Sequence, residues 1–255
     1  MPTRDTPWPA GTPCWVDYGA ADLAAAKAFY TALLGWEYTG GDPEFGGYLN
    51  AEKDGRQVAG LGPQMDPDDP PRWTTYFATD DAAAAVARIR EAGGTVLVEP
   101  MEVGPMGTMV VALDPQGNPF GLWQSGEHTG VQRYNEPGSL VWNEAAVDDP
   151  DAARAFYTAV FGFRFEEVPG GEGYTTFATG GDPLGGLGAV VPGVPKGWST
   201  CFAVTSTDGA VGTATSSGAK VLLPAEDTEY GRFAVLAVLA DPWGASFSVM
   251  EVPAG

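Results

Sequence analysis

The sequence predicts an α+β fold built from two copies of one domain, and three observations support this prediction. Phe29-Tyr30-Thr31 recurs as Phe156-Tyr157-Thr158, and Asp114-Pro115-Gln116-Gly117 recurs at the same offset as Asp241-Pro242-Trp243-Gly244. Within each copy, a strand-like segment, an amphipathic helix and three further strand-like segments follow one another twice. The chain is therefore predicted to contain four β-α-β-β-β units in tandem.

The helices are predicted from their end signals and apolar periodicity. Asp22 is placed to cap the first helix and Gly35 to end it. The second helix is expected to begin after Asp80 or Asp81. The second copy repeats the pattern at 149–161 and 207–217, and the last of these is rich in Thr, Ser and Gly, which are weak helix formers.

From its length and its two repeats, the chain is expected to comprise an N-terminal domain (1–125), a linker (126–137) and a C-terminal domain (138–255).

The net charge of −20 and the pI of about 4.1 argue against nucleic acid or an anionic membrane as a partner. Cys14 and Cys201 do not occupy matching positions of the repeat, so no disulfide framework is expected. With no apolar leader or membrane-length apolar run, a cytoplasmic location is predicted.

Both copies carry a motif that resembles the vicinal oxygen chelate superfamily. The motif combines Asp22, Phe29-Tyr30 and Gly35 with the later Asp114-Pro115-Gln116-Gly117, and the second copy has the equivalent residues. This superfamily contains glyoxalase, bleomycin resistance proteins and extradiol dioxygenases, and the chain is most similar in type to two-domain actinobacterial glyoxalase-like proteins. The resemblance implies the glyoxalase/bleomycin-resistance fold, in which paired units form two cupped mixed sheets, each around a cavity.

Enzymes of this superfamily hold a divalent metal ion in the cup. Carried over one at a time, the ligand positions of that family fall on residues that are neither His nor Glu: Trp15, Thr74 and Gly121 in the first copy, and Trp142, Ser199 and Ser248 in the second. These side chains are not the usual ligands of a divalent ion. The prediction is that neither cup holds a metal, with a divalent metal as the alternative.

Strand alternation places Trp15 with Asp17, and Trp142 with Glu144, on the cup-facing side of the first strand of each copy. The predicted ligand-binding residues share this orientation and are Trp15, Asp17, Thr74, Tyr76, Trp123, Trp142, Glu144, Ser199 and Met250. Asp17 and Glu144 are also the candidate catalytic residues, because a buried carboxylate can act as a general base; a structural role as acceptors stays open. His128, the single histidine, is expected to be a solvated linker residue.

Three functions follow from these features. The first is a metal-free protein that binds an aromatic or hydrophobic metabolite or antibiotic, with antibiotic resistance as one outcome. The second is an enzyme of the same superfamily, a glyoxalase-like lyase or a dioxygenase or hydroxylase. The third is an interaction protein whose cups are filled by their own side chains. The expected partner is a small molecule, and the expected state is a monomer or homodimer.

Overall fold

Each sequence repeat forms one eight-stranded mixed sheet. The computed structural model describes residues 2–64, 66, 68–171, 173–227 and 235–252. The strands of the first sheet are β1 (Pro13–Ala20), β2 (Glu37–Gly40), β3 (Leu49–Lys53), β4 (Arg56–Pro63), β5 (Trp73–Ala78), β6 (Thr95–Glu102), β7 (Gly107–Leu113) and β8 (Pro119–Ser125). Those of the second are β9 (Leu140–Val147), β10 (Arg164–Glu167), β11 (Thr175–Ala178), β12 (Gly185–Ala189), β13 (Gly197–Val204), β14 (Lys220–Asp227), β15 (Val235–Ala240) and β16 (Ser246–Glu251). This arrangement confirms the predicted fold class.

The strand order shows that each cup is built by the two units of one repeat. The first sheet runs β2-β3-β4-β1-β5-β8-β7-β6, and the second runs β10-β11-β12-β9-β13-β16-β15-β14. The first strands of the two units, β1 and β5, pair antiparallel at the centre of the sheet, with Asp17 opposite Thr74. In the second sheet Glu144 lies opposite Ser199, so the central registers of the two repeats are the same.

Four helices in the described residues cover the sheets. They are α1 (Leu23–Leu34), α2 (Ala82–Glu91), α3 (Pro150–Phe161) and α4 (Thr207–Ser216). Each begins after a residue whose side chain accepts a hydrogen bond from a first-turn amide, namely Asp22, Asp81, Asp149 and Ser206. The poorly helical composition of α4 is offset by this cap and by burial of Ala210 and Ala214. None of the four has both the length and the apolar character needed to span a membrane.

The sequence motif shared by the repeats holds the two repeats together. The Tyr30 hydroxyl of α1 donates to Asp241 Oδ2 of the second repeat at 3.0 Å, and Tyr157 of α3 donates to Asp114 Oδ2 of the first repeat at 3.0 Å. Both aspartates also accept backbone amide hydrogen bonds within their own turns. The Phe-Tyr and Asp-Pro-x-Gly motifs therefore lie away from the cups and stabilise the fold.

Two clusters of buried apolar residues each draw side chains from both repeats. Phe202 and Phe247 of the second sheet contact aromatic rings of the first repeat, including Trp36 and Trp73 at 5.3 and 5.0 Å from Phe202. The linker is also bound to the first repeat, since Val131 N donates to Cys14 O at 2.8 Å. The outer limits of the predicted domains, residue 1 and residues 253–255, lie outside the described residues.

Candidate functional site

The first sheet curves around a cavity of about 900 Å³, which we call the first cup. A volume of this size is in the range that holds a drug-sized molecule. Its aromatic lining residues are Trp15, Phe45, Tyr48, Tyr76, Trp123 and His128, and its methionines are Met101, Met106 and Met109. The third expectation from the sequence, a cup filled by its own side chains, is therefore wrong for the first repeat.

The floor of the first cup carries a hydrogen-bonded series of three side chains. Trp15 Nε1 donates to the Tyr48 hydroxyl at 2.8 Å, and that hydroxyl donates to Asp17 Oδ2 at 3.3 Å. Burial raises the pKa of Asp17 to about 7, although hydrogen bonds from Tyr76 and Tyr48 act in the opposite direction. Asp17 is therefore poised to gain or lose a proton close to neutral pH.

Glycines make room for the two tyrosines that contact Asp17. A Cβ atom on Gly60 would lie 1.8 Å from the Tyr48 hydroxyl, and one on Gly62 would lie 2.9 Å from the same ring. Gly121 has the equivalent role for Tyr76, whose ring would be 2.1 Å from an added Cβ. Strand positions without side chains thus allow each phenol ring to lie flat on the sheet.

His128 belongs to the cup, and the expectation of a solvated linker residue was wrong. Its ring packs edge-on against Trp15 and Trp123, with centroids 4.3 and 5.3 Å away, and Nδ1 is 3.0 Å from Gln57 Oε1. Desolvation lowers its pKa to about 4, so the imidazole is neutral near pH 7. The linker brings this ring to the cup because it returns along β1, a contact that the sequence does not indicate.

The concave face of the second sheet, which we call the second cup, repeats the floor of the first. Trp142 Nε1 donates to the Tyr174 hydroxyl at 3.1 Å, and that hydroxyl donates to Glu144 Oε2 at 2.9 Å. Burial raises the pKa of Glu144, with the Tyr174 hydrogen bond opposing the shift. A Cβ atom on Gly186 would lie 1.8 Å from the Tyr174 hydroxyl, so this glycine makes room for the tyrosine.

The two cups differ in the next strand pair. Tyr76 lies opposite Gly121 in the first sheet, whereas Cys201 lies opposite Ser248 in the second. Neither Cys201 nor Ser248 is aromatic, so this strand pair contributes no ring to the second cup. Cys201 is buried, and desolvation with the nearby Glu144 charge raises the pKa of its thiol, which makes it unreactive.

The structure brings together most of the residues predicted to bind a ligand. Trp15, Asp17, Tyr76 and Trp123 line the first cup, and Thr74 is not among its lining residues. Trp142 and Glu144 form the floor of the second cup, where the Ser199 hydroxyl is buried without a hydrogen-bond partner in the described chain and Met250 is buried.

Sequence reasoning missed the two tyrosines that join tryptophan to carboxylate. Tyr48 and Tyr174 each follow a glycine in the loop before a strand, as Gly47-Tyr48 and Gly173-Tyr174. Comparison of these loops between the repeats could have found the pair. The loop of the second repeat is one residue shorter, so the two tyrosines do not align at the offset that relates the motifs of the two repeats.

The residues at the family's metal-ligand positions do not fit a divalent ion. Trp15 and Trp142 present indoles whose N–H groups donate to tyrosines, and an indole offers no lone pair to a metal. The third position of the first cup, Gly121, has no side chain and is covered by the Tyr76 ring. Across the described ranges, no three His, Cys, Asp or Glu side chains are grouped to hold a metal.

Comparison with known proteins gives matches along nearly the whole chain. The sequence model of the Glyoxalase/Bleomycin resistance protein/Dioxygenase superfamily matches residues 15–122, and that of the bleomycin resistance protein-like N-terminal region matches 140–180. CFP32 of Mycobacterium tuberculosis, provisionally named a glyoxylase, is 40% identical over 98% of both chains. The anthracycline biosynthesis protein DnrV of Streptomyces peucetius is 39% identical over 96% of this chain and 94% of its own.

Solved structures share the fold at low sequence identity. The Mn(II)-bound glyoxalase of Novosphingobium aromaticivorans has a TM-score of 0.66 and 18% identity, and the match covers 95% of this chain and 82% of that one. The 2,3-dioxygenase LapB of Pseudomonas sp. KL28 has a TM-score of 0.65 and 16% identity, covering 98% and 94%. At these identities the likeness shows the fold alone.

Proposed function

We propose, from the premise that this chain belongs to the glyoxalase/bleomycin resistance protein/dioxygenase superfamily, that its first cup binds a planar aromatic molecule without a metal ion. The single observation that carries this proposal is the lining of the cup. Aromatic side chains and methionines surround about 900 Å³, with one carboxylate on the floor. Such a lining suits a flat apolar ligand that stacks on rings and offers one polar group to Asp17.

The chemistry of one relative supports a polycyclic ligand. The Streptomyces peucetius protein is named for anthracycline biosynthesis, and anthracyclines are fused-ring aromatic compounds. Trp15, Tyr76 and Trp123 offer rings at the floor and wall of a cup large enough for a fused-ring system. The methionines add a polarisable surface that adapts to the outline of a flat ligand.

The residues at the family's metal-ligand positions support binding of the ligand without a metal. In the first cup the carried-over positions present an indole, a threonine hydroxyl and a glycine, and Tyr76 fills the space in front of the glycine. A ligand would then be held by apolar contact and by hydrogen bonds to Asp17, Asn50 or Gln57, which also line the cavity. We therefore expect affinity to be the same with and without a chelator.

The test is binding of anthracenemethanol, a neutral fused-ring probe, followed by its own fluorescence anisotropy. We expect one probe per chain, with unchanged affinity after dialysis against a chelator. Trp123→Leu is expected to weaken binding by more than about tenfold. The matched control is Leu97→Ala, which removes an apolar side chain that is 56% exposed on β6 outside the cavity.

Native mass spectrometry of the wild-type complex provides a measurement that does not depend on folding of a variant. Failure of the wild-type protein to bind the probe would overturn the proposal. Binding that is lost with the chelator and restored by Mn²⁺ would overturn its metal-free part.

A second candidate function, an enzyme of the lyase or isomerase type, is favoured by one observation. Asp17 has a pKa of about 7, and a general base works best when its pKa is close to the operating pH. Chelator-treated protein would then turn over the adduct of methylglyoxal with a thiol, and Asp17→Asn would abolish that turnover. Equal rates for the wild type and Asp17→Asn would exclude this role. A dioxygenase or hydroxylase would need metal ligands, which the residues at the family's metal-ligand positions do not supply.

A further inference from the structure

The charges around the first cup are of one sign. Among its lining residues are the carboxylates of Asp17 on the floor and of Asp42, Glu44, Glu102 and Glu127 nearer the surface, and the lining includes no Lys or Arg. We call the last four the mouth carboxylates, since all four residues are exposed. In the described part of the chain, no ion pair joins any of the five to a basic side chain.

The surroundings do not neutralise this charge. His128, the remaining group of the cavity able to carry a positive charge, is kept neutral by desolvation, with a pKa of about 4. The chain as a whole carries a net charge of −20. A cleft with apolar walls and charges of one sign concentrates counter-ions, so the potential inside the first cup favours cations.

The floor carboxylate retains capacity for a further donor. A carboxylate has about four lone-pair sites. Asp17 accepts from Tyr48 at 3.3 Å and is hydrogen-bonded to Tyr76 as well. At least one site is left for a ligand, and a charged donor makes the stronger bond. The faces of Trp15 and Trp123 would also attract a cation by their ring quadrupoles.

We propose that the first cup selects aromatic molecules that carry a protonated amine, with Asp17 as the partner of the ammonium group and the mouth carboxylates as the groups that steer it in. This inference rests on the proposed function, because it names the class of ligand held by the same aromatic walls. It adds a specificity that aromatic walls alone do not give. A neutral ring system of the same shape gains the stacking contacts but neither the charged hydrogen bond nor the steering.

The experiment compares three probes that share one ring system and differ in charge. They are aminomethylanthracene as the ammonium, anthracenemethanol as the neutral probe and anthracenecarboxylate as the anion. At about neutral pH and low salt, we expect the ammonium to bind at least about tenfold more tightly than the alcohol, and the carboxylate at least about tenfold more weakly. Asp17→Asn is expected to reduce the ammonium preference, the ratio of the ammonium affinity to the alcohol affinity, to below about threefold.

Steering is tested separately by association rates. The double variant Glu102→Gln/Glu127→Gln is expected to slow association of the ammonium probe severalfold and to flatten its dependence on salt. The control is Glu166→Gln/Glu167→Gln, which changes the net charge equally on exposed positions of β10 in the second sheet. The control is expected to keep the wild-type rate.

The outcomes separate this inference from the proposed function. Equal affinity of the wild type for the ammonium and the alcohol would overturn the charge selection and leave the aromatic binding function standing. Absence of binding for all three probes would overturn both. An ammonium preference that survives Asp17→Asn would assign the selection to other groups and overturn the role of Asp17.

Discussion

The two cups of this chain have the same floor and different walls. In each, a tryptophan N–H donates to a tyrosine hydroxyl, which donates to a half-buried carboxylate, as Trp15–Tyr48–Asp17 and Trp142–Tyr174–Glu144. Above that floor the first cup adds Tyr76, Trp123 and His128, whereas the second has Cys201 and Met250 at the corresponding strand positions. A feature present in both copies does not distinguish structure from function, and the added rings are the reason why we propose the first cup as the ligand site.

The motif residues of the superfamily lie between the two repeats and not in the cups. Tyr30 with Asp241, and Tyr157 with Asp114, join one repeat to the other through buried hydrogen bonds. These residues keep the sheets in place whatever the cups contain. This explains physically why the motif predicts the fold well and the reaction poorly.

The largest expected effect comes from removing the floor carboxylates. The folded chain holds the pKa of Asp17 at about 7 against an ordinary 3.8, so between these values the folded chain keeps a proton that the unfolded chain releases. The free energy of unfolding therefore falls as pH rises through this window. Asp17→Asn removes the carboxylate and with it this loss of unfolding free energy, which amounts to at most about 4 kcal/mol above pH 7.

Urea unfolding of the ligand-free protein checks this prediction. The stability gain of Asp17→Asn over the wild type should grow by about 2 kcal/mol between about pH 5.5 and about pH 8.5. Glu144→Gln should show a gain of the same sign, because the pKa of Glu144 is also raised. A loss of stability in Asp17→Asn at the higher pH would instead mean that the ionised carboxylate stabilises the fold.

A smaller effect is expected from filling the space beneath Tyr76. In Gly121→Ala the new methyl group would lie 2.1 Å from the Tyr76 ring, so the ring has to leave the floor. We expect a loss of about 1 to 3 kcal/mol, the usual cost of overpacking. The matched change in the second cup, Ser248→Ala, removes an oxygen atom opposite Cys201 and should cost less than about 1 kcal/mol. Thermal or urea unfolding measures both, and equal costs would show that Tyr76 does not need the glycine.

The sequence predicts the fold and two of the three floor residues of each cup because these depend on regular structure. The repeated motif identifies the units, and strand alternation places Trp15 and Asp17 on one face. The register places Tyr76, and not the carried-over Thr74, between Trp15 and Gly121 on neighbouring strands.

The remaining site residues come from segments without periodicity. Tyr48 lies in the loop before β3, and His128 lies in the linker that folds back on β1. Their positions depend on tertiary contacts, such as the Gly60 surface under Tyr48 and the Gln57 contact of His128. Neither alternation nor spacing along the chain carries this information, so the sequence indicates neither the tyrosines nor the position of the histidine.

The smallest expected effect tests the hydrogen bond that both floors share. The Tyr48 hydroxyl stabilises the ionised form of Asp17, so Tyr48→Phe should raise the pKa of Asp17 further. The hydrogen bond between the two side chains is long, at 3.3 Å, so the change should be less than about one pKa unit. Tyr174→Phe should leave Asp17 unaffected and raise the pKa of Glu144, whose tyrosine lies closer at 2.9 Å. Titration of the two carboxyl carbons by NMR measures all four values. If Tyr48→Phe lowered the pKa of Asp17, water admitted to the floor would outweigh the lost hydrogen bond, and the shared series would be a seal against solvent in both cups.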